Sequence, residues 1–138
     1  MKHTVRHNLA RVAVAAATTA GALAAVPSVA QAATYNGVCG SGYGVIDSFP
    51  LRGGTAFLTY NGSTGKNCAV TVRTNPGAKI YLLASLRPST PLNSPWQKDG
   101  AEYGTYAGPV YASAPGRCID WVAQIGDDSL VQFEVHCG

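Results

Sequence analysis

The sequence predicts an all-β fold, a single-domain antiparallel β-sandwich or flattened barrel of about seven short strands stapled by disulfides. Three observations carry that expectation. Short runs of β-branched and aromatic residues recur between clusters of Gly, Pro and Asn. Beyond residue 32 no amphipathic helical period appears, and all four cysteines, Cys39, Cys68, Cys118 and Cys137, fall in that same region.

Residues 1–32 are read separately. Lys2, Arg6 and Arg11 precede an Ala/Val-rich run over residues 12–26, and small residues at Ala30 and Ala32 follow. This is the build of a secretory signal peptide removed after Ala32, leaving residues 33–138 as the mature β-domain. The apolar run is short for a membrane span, and no hydrophobic anchor closes the C-terminus. A freely secreted protein without a membrane span in its mature form is expected. Of the ten Lys and Arg the leader takes three, so seven remain against seven Asp and Glu. A neutral mature domain gives no support for binding nucleic acid or anionic membrane. Removing 32 residues from 138 leaves 106, enough to bury roughly 65% of the unfolded surface.

Taken in order, the glycine-rich residues 35–42 lead into a first strand, Tyr43 to Phe49. A phosphate loop is excluded there, since neither the Gly-Lys-Ser/Thr ending nor a following helix is present. Arg52-Gly53-Gly54 turns the chain into a hairpin of Thr55 to Tyr60 and Cys68 to Thr74 around a loop from Asn61 to Asn67. Alternation places Tyr60 opposite Cys68, Leu58 opposite Val70 and Ala56 opposite Val72 on one face, with Thr59, Thr71 and Arg73 on the other. Asn75-Pro76-Gly77 suits a type II turn. The next strand, Lys79 to Arg87, presents Ile80, Leu82, Ala84 and Leu86 to the same core.

Pro88, Pro91 and Pro95 make residues 88–100 an irregular segment, with Trp96 either covering the open end of the core or available for binding. Glu102 to Ala107 and Val110 to Ser113 are β-like pieces interrupted by Gly108-Pro109, which implies an edge strand or a bend. Tyr103, Tyr106 and Tyr111 lie here. With Trp96 they are the candidate binding residues, as an aromatic strip that can stack on sugar rings or form a protein interface.

Cys118 to Ile125 and Leu130 to His136 flank a Gly126-Asp127-Asp128-Ser129 turn, forming the last hairpin. Here two demands conflict. Opposing Cys118 to Cys137 puts Trp121 opposite Glu134; a one-residue shift matches Ile119 with Val135 and Trp121 with Phe133 but displaces the cysteines. A bulge reconciles them. Neighbourhood along the chain favours Cys39 with Cys68 and Cys118 with Cys137, among the three connectivities four cysteines allow.

Little in the sequence points to catalysis. After the leader His136 is the one histidine, and it adjoins a disulfide cysteine. Ser41 and Ser63 lack a nucleophile elbow. Asp127-Asp128 and Asp99/Glu102 are acid pairs, but the first reads as a hairpin turn, and Asp120 reads as an outward strand carboxylate. With no Cys-x-x-Cys pair, no metal site and no cofactor are expected. The domain is read as non-enzymatic.

The segments Tyr35-Asn36-Gly37-Val38-Cys39-Gly40, Thr64-Gly65-Lys66-Asn67-Cys68-Ala69-Val70-Thr71-Val72-Arg73, Tyr106-Ala107-Gly108-Pro109-Val110-Tyr111 and Cys118-Ile119-Asp120-Trp121 resemble the spore-associated protein A family of streptomycetes and related actinobacteria. The resemblance covers the whole mature chain, with all four cysteines in matching places, and is weakest over residues 88–100. It implies a small secreted protein of the spore or hyphal surface and carries no catalytic residue. The expected partner is a spore-surface or cell-wall polymer, or another surface protein. The alternative is a secreted inhibitor of a protease or amylase, with residues 88–98 as its loop; an antibacterial role is disfavoured by the neutral charge.

Overall fold

A computed structural model describes Gly21 and residues 32–138; the expected signal peptide over 1–32 lies almost wholly outside the described residues. Eight strands form: β1 (Gly44–Leu51), β2 (Gly54–Asn61), β3 (Lys66–Arg73), β4 (Ile80–Pro88), β5 (Gln97–Tyr103), β6 (Tyr106–Ser113), β7 (Ile119–Ile125) and β8 (Asp128–Val135). They make two antiparallel four-stranded sheets, ordered β1-β2-β3-β6 and β5-β4-β7-β8, packed face to face. The expected sandwich is what the chain adopts, with one strand more than the sequence suggested. The addition is β5, whose Gln97-Lys98-Asp99-Gly100-Ala101-Glu102-Tyr103 lacks a hydrophobic signature because it is an edge strand. The irregular segment shortens accordingly to residues 89–96.

Between the sheets lies the main core. Ala56, Leu58 and Ala69 from the first sheet meet Leu82, Ala84, Leu86, Ile119, Trp121 and Ala123 from the second. Gly54 permits the closest approach: a Cβ there would sit 2.1 Å from the Val72 carbonyl oxygen and 2.6 Å from Ile125 Cδ1.

The β2–β3 register differs by one residue from the sequence expectation. Thr59, not Tyr60, opposes Cys68, and Leu58 opposes Ala69. The cause is burial on both faces. Ala56, Leu58 and Ala69 face the main core, while Phe57, Val70 and Val72 form a second cluster on the outer face. Two apolar faces leave alternation unable to choose between registers. The turn chooses instead. Asn61 Oδ1 accepts from the Ser63 amide at 2.9 Å, and the Asn61 carbonyl accepts from Gly65 N at 2.9 Å, with Gly65 at φ 68°. The loop therefore closes in four residues, and Asn61, Lys66 and Asn67 join the strands.

What covers the outer cluster is the glycine-rich N-terminal segment. Rather than a loose lead, residues 33–42 form a strap: Ala33, Tyr35 and Val38 pack on Phe57, Val70 and Val72. The Cys39–Cys68 disulfide fixes it there. The other disulfide joins Cys118 to Cys137, so both preferred pairings form.

Asn75-Pro76-Gly77 does not make the expected type II turn, since Gly77 lacks the positive φ that turn requires. It carries the chain from the first sheet to the second, with Gly77 N donating to the Gly104 carbonyl at 3.1 Å. In the last hairpin a bulge does resolve the conflict. Ile119 pairs with Val135, then Trp121 with Gln132, with a register shift between them and Glu134 at φ 52°.

Candidate functional site

The side of the sandwich where β5 approaches β6 carries a cleft of about 310 Å³. Its walls include Pro88, Ser94, Pro95 and Gln97 on one side and Tyr111 and Ser113 on the other, with Arg117 at one end. Each wall has a structural origin. Tyr111 stands on β6, paired with Cys68 on the outer face of the first sheet. Its hydroxyl donates to the Cys39 carbonyl at 3.0 Å, and Tyr43 meets its ring edge-on at 5.6 Å. Burial first, then the neighbouring phenols of Tyr43 and Tyr35, raise the Tyr111 hydroxyl above the ordinary tyrosine pKa. Arg117 ties that end together, donating to the Thr90 carbonyl and the Ser113 carbonyl, each at 2.9 Å.

The other wall is the 89–96 loop, held by a buried polar network that the sequence reading did not anticipate. Asp120 sits on the outward side of β7 opposite Arg87 of β4, as expected of an outward carboxylate, yet it is only 3% exposed. Arg87 Nε lies 3.0 Å from Asp120 Oδ2; Ser89 Oγ and the Glu134 amide donate to Oδ1, the latter at 3.0 Å. Burial by itself would raise the carboxyl pKa. The hydrogen bonds from Ser89 and Glu134, then the bond and charge of Arg87, outweigh it and hold Asp120 below the ordinary carboxylate value. Arg87 also donates to the Leu92 carbonyl at 3.0 Å and stacks its guanidinium 4.7 Å above the Trp96 ring.

The aromatic candidates therefore divide. Tyr106 and Tyr111 share the outer face of the first sheet, 36% and 38% exposed, because the bulge at Gly108-Pro109 keeps them in phase. Tyr103 belongs to the second sheet, packs against the main core and donates its hydroxyl to Asp99, which raises its pKa chiefly through that bond. Trp96 is half-buried under Arg87 and turned away from the cleft its neighbours line. As expected from Gly108-Pro109, β6 is an edge strand.

The acid pairs separate too. Asp99 accepts from Tyr103 and from the Gly108 amide at 2.8 Å, while the alternation of β5 sends Glu102 to the opposite face. Asp128 accepts from the Arg52 amide at 2.7 Å, and Asp127 pairs with the Arg52 side chain on the surface. His136 pairs with Asp47 at 2.8 Å, beside a second cleft of about 330 Å³. No serine, threonine or free thiol lines that cleft. Among the described residues no group of His, Cys, Asp and Glu could hold a metal ion, and no helix is long and apolar enough to cross a membrane.

No family model and no solved structure matches the chain. A curated relative does: spore-associated protein A of Streptomyces coelicolor, 43% identical over 125 residues, covering 86% of this chain and 80% of the relative. The chain belongs to the spore-associated protein A family.

Proposed function

We propose that the chain is a secreted, non-enzymatic protein of the spore or hyphal surface, holding an envelope polymer through the aromatic side of its first sheet. Membership of the spore-associated protein A family is the observation that carries this reading. Two disulfides in a domain of this size suit an oxidising, extracellular setting. The geometry supplies the surface. Tyr111 gives a fixed, partly exposed ring beside a cleft whose rim offers Ser94, Gln97 and Ser113, and Tyr106 extends the same face. An apolar platform flanked by neutral hydrogen-bonding groups fits a sugar ring. The non-enzymatic part rests on how the acidic side chains are used: Asp99, Asp120 and Asp128 each accept main-chain amide hydrogens, which fixes them as structural anchors.

The test is co-sedimentation of the oxidised protein with washed spores and, in parallel, with vegetative cell walls across a range of salt. Selective, salt-resistant retention on spores is expected, because a neutral domain releases few counterions. Tyr106→Ala combined with Tyr111→Leu, which keeps bulk beneath the strap, lowers retention by about tenfold if two stacked rings are lost. Equal retention of wild type and variant would overturn the aromatic surface, and no retention on spores would overturn the reading.

A further inference from the structure

Beyond polymer binding, the free edges of the two sheets govern how the protein meets a second copy of itself. A sandwich of two open sheets has four edge strands: β1 and β6 in the first sheet, β5 and β8 in the second. Unpaired edges invite pairing with other chains, and stable monomers blunt them with proline, bulges or inward charge. Three of the four edges are blunted. β1 carries Pro50 and a bulge between Val45 and Asp47. β6 carries Pro109, with Gly108 at φ 96°, and a register shift against β3. β5 carries Lys98, Asp99 and Glu102, and it lies against β6 where the sandwich closes.

β8 is the exception. From Ser129 to Phe133 it has no charge, proline or glycine, and its pairing with β7 is regular from Asp128 to Gln132. Val131 and Phe133 are 53% and 57% exposed, the most exposed large apolar side chains on any strand. They continue inward onto Val122, which pairs directly with Val131. On the open side of the sandwich β8 and β1 are tied by side chains, His136 to Asp47 and Asp128 to the Arg52 amide, and they share no ladder.

We propose that β8 is a self-association edge, pairing antiparallel with β8 of a second copy of this chain about a twofold axis near Val131. The two second sheets then join into one continuous sheet. The occupant follows from the strand itself. An axis near Val131 sets Val131 beside its own copy and brings Phe133 of each chain diagonal to the other's Val131, all on the outer face. Residues 129–133 are neutral, so no like charges meet near the axis; the same register sets Asp128 of each chain opposite Glu134 of the other at the two ends, where the pairing stops. The bulge at Glu134 ends the flat stretch, so pairing spans about five residues and buries less than the roughly 1,200 Å² typical of stable dimers. The dimer is therefore reversible, and with the remaining edges blunted it closes as a pair without growing into a filament.

Sedimentation velocity on the disulfide-intact protein, from about 5 to 500 µM, tests this directly. A reversible monomer–dimer equilibrium is expected. Val131→Lys places two ammonium groups together at the axis and weakens it by at least about tenfold. Phe133→Ser weakens it through lost contact, so a folding defect in one variant, visible by circular dichroism, leaves the other as the test. Tyr81→Lys alters an exposed residue of the same face on β4, away from the edge, and leaves the equilibrium unchanged. In hydrogen exchange, those amides of residues 129–133 that point away from β7 slow as concentration rises. A monomer throughout that range, a dimer indifferent to both β8 variants, or open-ended oligomers would overturn the proposal.

Discussion

Removing the Asp120 carboxylate is the most telling perturbation of the fold. Asp120→Ala takes the acceptor from Arg87 Nε, Ser89 Oγ and the Glu134 amide at once. It also leaves a guanidinium whose side chain is only 17% exposed without its carboxylate. Breaking a buried pair by deleting one partner costs about 3–5 kcal/mol. Arg87 keeps its bonds to the Leu92 and Ser94 carbonyls and its place over Trp96, so the lower end applies, about 3 kcal/mol. At about 4 °C per kcal/mol for a domain near this size, the midpoint should fall by about 12 °C. Thermal and guanidinium unfolding at pH 7, with both disulfides intact, measures this.

The pH dependence provides an internal control. The folded pKa of Asp120 is depressed, so its contribution is present above the unfolded value of about 3.9 and is lost as pH falls through the lower folded value. The gap between wild type and Asp120→Ala should hold from neutrality to about pH 4 and narrow below it. A variant within about 1 kcal/mol of wild type at pH 7, or a gap that persists undiminished in acid, would refute the reasoning.

Three further outcomes follow from the packing. Replacing Cys39 and Cys68 by Ala opens a closed loop of 29 residues' separation and should cost about 3.6 kcal/mol by loop-closure entropy; limited proteolysis should then cut first within residues 33–42, and an uncut strap would count against it. Gly54→Ala drives a methyl against the Val72 carbonyl oxygen, where backbone must yield, and should destabilise by about 2–3 kcal/mol in chemical unfolding. Trp121→Phe empties core volume and orphans Gln132, whose side-chain oxygen accepts from the indole at 2.8 Å; a loss of about 2–3 kcal/mol is expected by the same measurement.

The core face of β4 was legible in the sequence: Ile80, Leu82, Ala84 and Leu86 recur at every second position and all four reach the core as expected, although Tyr81 and Leu83 make the other face partly apolar too. The final hairpin was legible as a contradiction: cysteine opposition and apolar matching could not both hold, and the bulge that reconciles them puts Glu134 at positive φ. The β2–β3 register was not legible, because Phe57 and Leu58 are both buried, on opposite faces, and the four-residue turn at Asn61 sets the phase. Nor was β5, since an edge strand pairs through main-chain groups and its side chains are free to be Lys, Asp and Glu. Asp120 reads as outward from the sequence, and by register it is. Its burial comes from the 89–96 loop folding over that face, a tertiary event with no local pattern.

That loop also bears on the alternative of a secreted hydrolase inhibitor. Leu92 at its tip is 81% exposed, the most exposed large apolar residue among those described, and an exposed leucine on a rigid loop invites comparison with protease bait. The main chain is set differently. A substrate-like loop must be extended and must leave the carbonyl at its reactive residue free for a protease's oxyanion donors. Here the Leu92 carbonyl is occupied by Arg87 at 3.0 Å, and Ser94 N donates to the Pro91 carbonyl at 2.9 Å, closing a tight turn around Leu92. Freeing that carbonyl means releasing Arg87, whose guanidinium is committed to Asp120 and to the Trp96 ring. The rigidity that exposes Leu92 is thus the same rigidity that withholds its peptide bond. In this fold the loop forms one wall of the cleft beside Tyr111, through Ser94 and Pro95 together with Gln97.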